Sequence, residues 1–258
     1  MTEDERYLFD LNGYLILRGV LSSDEVQRCN ESLDHHSEKL LENSAHLPAG
    51  DEGHRIEVKS MLAWERPWCE PFRNLLVHPN VTPYLESILS EGYRFDHGPW
   101  LIAMNKGAPD SYLHGGGVER PNLLESYFFK DGRIYTGLTV VEFMLADEGP
   151  GNGGLAVIPG SHKANLRCPK SMVYFREYQD HVKEVNVRAG DAVIFTETLT
   201  HGALAWKAKH QRRAMIYKFS PGFLAYGSGH HGISFPDYVH DMTEEQRAVM
   251  EHPHMRSP

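Results

Sequence analysis

The run Asn152-Gly153-Gly154-Leu155-Ala156-Val157-Ile158-Pro159-Gly160-Ser161-His162-Lys163 decides how this chain is read. With Gly149-Pro150-Gly151 before it, the run has the glycine density of a nucleotide-binding loop. Such a loop needs a helix N-terminus aimed at phosphate. Here the glycines are followed by the apolar run Leu155–Ile158 and then by Pro159-Gly160, which reads as a short strand closed by a turn. A tight hairpin is expected. The same grammar recurs from Tyr93 onward. Candidate strands lie at 93–105, 134–146, 154–158, 183–188, 191–196, 202–206 and 212–220, separated by Gly, Pro, Asn and Asp. Many short strands with such punctuation predict a jelly roll or barrel. Segment 107–133 is long and Gly-rich for a connection, and connections of that kind are commonly functional.

Upstream, residues 1–92 read as mostly helical. Ser22-Ser23-Asp24-Glu25 fits a capping box, and Val26, Cys29, Leu33, Leu40 and Leu41 follow at helical spacing. A second helix is expected from Asn80, with Val81, Leu85, Ile88 and Leu89 on one face and Gly92 near its end. A third is expected at 243–251. The fold class is therefore mainly β with flanking helices around a double-stranded β-helix (jelly-roll, cupin-like) core. The expected division of one domain is 1–92 helical, 93–220 core and 221–258 C-terminal extension.

Composition narrows the function. The 258 residues are 41% hydrophobic and 24% charged, as in ordinary globular chains, with a net charge of −9. An acidic chain argues against a nucleic-acid partner. No apolar run is long enough to suggest a membrane span. The opening MTEDERYLFD is acidic where a secretory leader needs a basic and then apolar start, and Cys29, Cys69 and Cys168 are too few for a disulfide framework. A cytoplasmic setting is expected. H-E-x-x-H, C-x-x-C and G-x-S-x-G are all absent, which removes zinc-protease, thiol-redox and hydrolase readings. His35-His36, His230-His231 and His252/His254 read as solvated pairs.

A more specific constellation lies in the β half. It comprises Tyr112-Leu113-His114-Gly115-Gly116, Val140-Val141-Glu142-Phe143-Met144, the run Asn152–Lys163, and Ala189-Gly190-Asp191-Ala192-Val193-Ile194-Phe195. Thr200-His201-Gly202 and Arg212-Arg213 complete it. In these motifs, and in the opening NGYLILRGVLSSDEV, the chain resembles the phytanoyl-CoA dioxygenase family of Fe(II)- and 2-oxoglutarate-dependent oxygenases, from about residue 9 to 220. The resemblance implies that His114 and His201 are iron ligands and that Arg212 holds the distal carboxylate of 2-oxoglutarate. A guanidinium suits that role because it forks onto a planar carboxylate. Arg213 must then point to the opposite face of its strand.

One departure matters. The family reads H-x-D at the first site, and Gly116 stands at the carboxylate position. Three readings follow. Chloride fills the vacated position, as in the iron halogenases of the superfamily. Alternatively, another carboxylate substitutes. Glu142 is the first candidate, since a charge in an apolar strand needs a cation or metal if it faces inward; an outward-facing or substrate-binding role is the simpler reading. Glu197 is the second, but four residues of extended strand separate it from His201 by roughly 13 Å, which argues against shared ligation and for substrate contact. Asp110, Glu119 and Glu125 remain as loop carboxylates. In the third reading the fold survives as a non-catalytic small-molecule-binding or interaction protein. The leading expectation is an Fe(II)/2-oxoglutarate dioxygenase that hydroxylates an aliphatic C–H bond of a small molecule. Trp64, Trp68, Tyr127, Phe128, Phe129, Phe223 and Tyr226 are the aromatics available to line a substrate pocket, although aromatics more often fill cores.

Overall fold

The computed structural model describes residues 1–42, 55–115, 125–226 and 236–254. Two β-sheets face each other. The larger contains β1 (Tyr14–Leu17), β10 (Ala192–Thr196), β7 (Thr139–Met144), β12 (Arg212–Ser220), β3 (Arg94–Met104) and β2 (Arg55–Lys59), in that spatial order. The smaller contains β4 (Ser111–His114), β11 (His201–Leu204), β8 (Gly154–Val157) and β9 (Lys183–Glu184). A separate ribbon pairs β5 (Tyr127–Lys130) with β6 (Arg133–Thr136). Every pairing is antiparallel, and sequence neighbours are repeatedly dealt to opposite sheets, as a jelly roll requires. The expected fold class is the observed one.

The two faces of the large sheet do different work, and the strand period of two separates them. On β7, Val141 and Phe143 point outward to join Ile194, Met215 and Tyr217. That face is covered by α2 (Ser23–His35), α4 (Glu70–Leu75) and α5 (Thr82–Leu89), through Leu33, Phe72, Leu85 and Ile88. Val140 and Met144 point inward with Val193, Phe195 and Ala214, against Leu155 and Val157 of the small sheet. Each large apolar side chain buried this way contributes about 1.5–3 kcal/mol. Covering both faces explains why β7 is buried at all six residues and reads as a nearly continuous apolar run.

The helix starts follow their caps. Ser22 accepts from the Glu25 N–H while the Glu25 carboxylate accepts from the Ser22 N–H, the reciprocal pairing expected for α2. The terminal helix is α7 (Glu244–Val249), inside the expected 243–251. Helices α1 (Glu3–Asn12) and α3 (Ser37–Glu42) complete the N-terminal part, and α6 (Lys170–Val173) follows β8. Several elements differ from the sequence expectation: 134–146 divides into β6 and β7, and β4 and β5 lie within the 107–133 segment read as a connection. β1 and β2 interrupt the helical 1–92 region and become the edges of the large sheet. Each is only four or five residues long, with alternating burial, too short for periodicity to separate it from its helical surroundings.

Much of the diagnostic sequence is structural. Asp191 accepts from the Gly19 N–H and the Arg188 N–H, both at 2.9 Å, and pairs with Arg18 at 2.6 Å, pinning the start of β10. Ser161 Oγ accepts from the Thr200 N–H at 2.8 Å, fixing the residue before His201. His162 is buried beside Gly13, and its Nε2 bonds the Asp10 carbonyl at 3.0 Å; burial pushes its pKa down to about 4, so it is neutral.

Candidate active site

His114 ends β4 and His201 begins β11, and the two strands pair with these residues directly opposite. The imidazole centroids lie 4.1 Å apart. His201 is buried, with Phe195 4.8 Å away, and its Nδ1 bonds the Leu199 carbonyl at 2.7 Å. A carbonyl only accepts, so Nδ1 carries the proton and Nε2 is left with its lone pair, the usual posture of a metal-binding histidine. Burial, and then His114, hold the His201 pKa down at about 4. The ring is therefore neutral at physiological pH, as a ligand must be.

The chain does not continue as a strand between Glu197 and His201. β10 ends at Thr196, and a turn closes with the Leu199 N–H donating to the Thr196 carbonyl at 2.9 Å. The roughly 13 Å separation expected from strand rise therefore does not apply. Ligand atoms of His114, Glu197 and His201 all lie within 4.8 Å of one another. Lys218 of β12 pairs with Glu197 at 2.8 Å. Burial opposes ionisation of Glu197, but Lys218 and the imidazoles outweigh it, and its pKa falls below the ordinary carboxylate value.

Both imidazoles line a cavity of about 290 Å³ between the sheets, together with Trp100, Glu142, Arg212 and Lys218. Glu142 faces inward, as alternation with Val140 and Met144 requires, and the cation it needs is Arg212. The Arg212 Nη2 donates to Glu142 at 2.6 Å, and its Nε lies 2.7 Å from Glu148. All three side chains are essentially fully buried. The anions balancing Arg212 are thus the chain's own, so burial of this arginine is not by itself an argument for a bound diacid. Two carboxylates around one guanidinium leave an excess negative charge. Burial, opposed by Arg212 and reinforced by Glu148, pushes Glu142 up to about 7. Gly154 makes this packing feasible: a Cβ there would lie 2.1 Å from the Glu148 carboxylate. Arg213 points to the other face, to Asp34 at 2.6 Å and Asn30 at 3.0 Å on α2.

Several expectations change. Glu148 and Lys218 were not singled out by the sequence. Lys218 carried the same signal as Glu142, a charge in an apolar strand, whereas Glu148 sits in a polar Asp147-Glu148-Gly149 corner with nothing to distinguish it. None of the seven aromatics available for a pocket lines the cavity; Trp100 and Phe195 do. Trp64 is buried and stacks on His36 at 3.9 Å, and the Tyr127 hydroxyl donates to Asp10 at 2.7 Å. Phe128 stacks on Tyr135, and Phe129, Phe223 and Tyr226 are exposed. His36 is a packed residue instead of a solvated one, and His35 stacks on Trp68. Asp110 and Glu125 are exposed. Gly116, Glu119, His230 and His231 lie outside the described residues.

Two imidazoles and the Glu197 carboxylate converge inside the jelly roll, a donor set suited to a single metal ion. The donor set fits Fe(II), which takes two His and a carboxylate on one face and keeps the remaining positions open. The model of the phytanoyl-CoA dioxygenase (PhyH) family matches residues 9–214, and the chain belongs to this family. The family is Fe(II)- and 2-oxoglutarate-dependent, which places the chain among the 2-oxoglutarate oxygenases and makes iron and 2-oxoglutarate its cofactors.

Relatives agree. Dioxygenase swnH1 of Arthroderma benhamiae is 26% identical over 220 residues, covering 78% of this chain and 66% of that protein. Dioxygenase cdmD of Talaromyces verruculosus is 24% identical, covering 81% of this chain and 71% of that protein. The chain thus spans about two thirds of the length of swnH1. Among solved structures, HygX from Streptomyces hygroscopicus with nickel and 2-oxoglutarate bound has a TM-score of 0.72 at 21% identity, covering 87% of this chain and 89% of HygX. The same fold is shared with HygX holding nickel, 2-oxoglutarate and hygromycin B, at a TM-score of 0.70 and 22% identity, covering 92% of this chain and 97% of HygX. No helix among the described residues is long and apolar enough to cross a membrane.

Proposed function

We propose that this protein is a dioxygenase that hydroxylates an aliphatic C–H bond of a small molecule, with His114 and His201 holding Fe(II) and Arg212 anchoring the distal carboxylate of 2-oxoglutarate. The observation that carries the reading is the meeting of the two imidazoles on the cavity wall, with the His201 tautomer set by the Leu199 carbonyl. When bound, iron and 2-oxoglutarate supply the oxidising chemistry. The chain's residues bind, orient and exclude water. Val140, Leu155, Phe195 and Ile216 give the cavity apolar walls suited to presenting a C–H bond. HygX, a structural relative, is seen with a small molecule, hygromycin B, which supports a small-molecule substrate here.

The test is direct. Adding Fe(II) and 2-oxoglutarate in air, with a panel of small molecules, is expected to yield succinate and a product heavier by one oxygen. A chlorinated product dependent on chloride would replace hydroxylation with halogenation. Tight binding of a small molecule without succinate under any metal would identify a binding protein of this fold.

Glu142 gives the reading a pH signature. Below about 7 its carboxyl is protonated, so one of the two carboxyl groups on the Arg212 guanidinium carries no charge and the guanidinium attracts an arriving carboxylate. Above about 7 Glu142 ionises and repels it. The KM for 2-oxoglutarate is therefore expected to rise as the pH climbs past 7, and Glu142→Gln is expected to flatten that rise. An unchanged profile in the glutamine variant would separate Arg212 from co-substrate binding.

A further inference from the structure

We propose that Glu197 completes the metal centre, supplying the carboxylate for which Gly116 has no side chain, so that the ligands are His114, Glu197 and His201. The inference rests on the metal-dependent reading above and goes beyond it in naming the third ligand.

One carboxylate oxygen of Glu197 and one ring nitrogen of each imidazole already lie within 4.8 Å of one another. Closing around an ion with bonds near 2 Å requires only side-chain adjustment. The turn that carries Glu197 is held in place by contacts independent of any ion. The Glu197 N–H donates to the Leu138 carbonyl at 2.9 Å, and the Thr196 and Thr136 hydroxyls share a hydrogen bond of 2.7 Å. On its other side the turn is pressed against the residue following His114. Gly115 has φ +75°, and a Cβ there would lie 2.6 Å from the Leu199 carbonyl oxygen and 2.7 Å from that of Glu197. Backbone packing therefore sets the spacing between His114 and Glu197.

The charge arrangement agrees. The Glu197 side chain is 11% exposed, and its counter-charge is the terminal ammonium of a flexible lysine, Lys218. A divalent ion offers this carboxylate twice the charge of that ammonium, at shorter range. Lys218 already lines the cavity, with its ammonium 5.5 Å from the Trp100 ring centroid, so it has somewhere to go when displaced. Glu142, the other substitute carboxylate, is held by Arg212 and carries the raised pKa of a group that resists ionisation.

The experiment compares Co(II) binding, read by visible absorption, in the full chain and in Glu197→Gln, Lys218→Met and His201→Ala, with circular dichroism confirming that each is folded. If Glu197 is a ligand, the two members of the salt bridge must diverge. Glu197→Gln is expected to weaken Co(II) binding at least about tenfold and to alter the spectrum, beyond the loss of a supporting contact. Lys218→Met is expected to leave binding unchanged or tighten it, because the competing cation is gone. Should Glu197→Gln fail to fold, Glu197→Asp keeps the charge while withdrawing the oxygen by one methylene, and the same weakening is expected.

Equal effects of Glu197→Gln and Lys218→Met, or none, would show a salt bridge only and overturn the proposal. If His201→Ala alone abolishes binding, the metal reading stands and Glu197 fails. A chloride-dependent spectrum that persists in Glu197→Gln would assign the third corner to a halide, and absence of Co(II) binding by the unaltered chain would remove both readings.

Discussion

Replacing Arg212 with methionine is expected to cost about 3–5 kcal/mol of folding stability, read as a lowered urea midpoint, because it strands two carboxylates in the protein interior. Arg212, Glu142 and Glu148 are all essentially fully buried, and the contacts at 2.6 and 2.7 Å are the ion pairs that join them among the described residues. Without the guanidinium, folding must protonate both carboxyls or hold ionised groups in a medium that solvates them poorly. The loss should deepen with rising pH. The sign follows from Glu142, whose folded pKa is about 7 with Arg212 beside it and lies higher without it: above about 7 the folded variant keeps a proton that both the folded parent and the unfolded chain have released, so rising pH costs the variant more. Adding Glu142→Gln and Glu148→Gln to Arg212→Met should recover much of the stability, since neutral amides need no counter-charge. A loss below about 1 kcal/mol, the range of an exposed ion pair, would contradict the buried-cluster account.

The second large effect concerns the metal. His201→Ala is expected to abolish Fe(II)-dependent succinate formation and to reduce metal affinity by well over the ~10–100-fold typical of losing a supporting contact. The side chain is buried against Phe195, so some stability is lost too. The control is His162→Ala, which removes another buried, neutral histidine that bonds a backbone carbonyl but lies outside the cavity lining. Both variants should melt at lower temperature, and only His201→Ala should lose metal. Equal metal affinity in the two would dissolve the site.

The sequence alone was enough for the jelly roll and the capped helix α2, which rest on short-range signals: strand alternation, turn residues and the Ser22–Glu25 box. His114 and His201 were marked by the family resemblance, and the structure sets them opposite each other on paired strands. The sequence was also enough to mark Glu142 as a charge requiring a partner, because an apolar strand tolerates no unpaired carboxylate inside.

What only the tertiary structure decided is who meets whom. Glu148 reaches Arg212 because Gly154 leaves room beside it, and Glu197 reaches His114 because a turn, rather than more strand, follows Thr196. Linear spacing converts to distance only while the chain keeps one regular geometry. At a turn that conversion fails, and the partners of a charge are then chosen by packing between strands far apart in the chain.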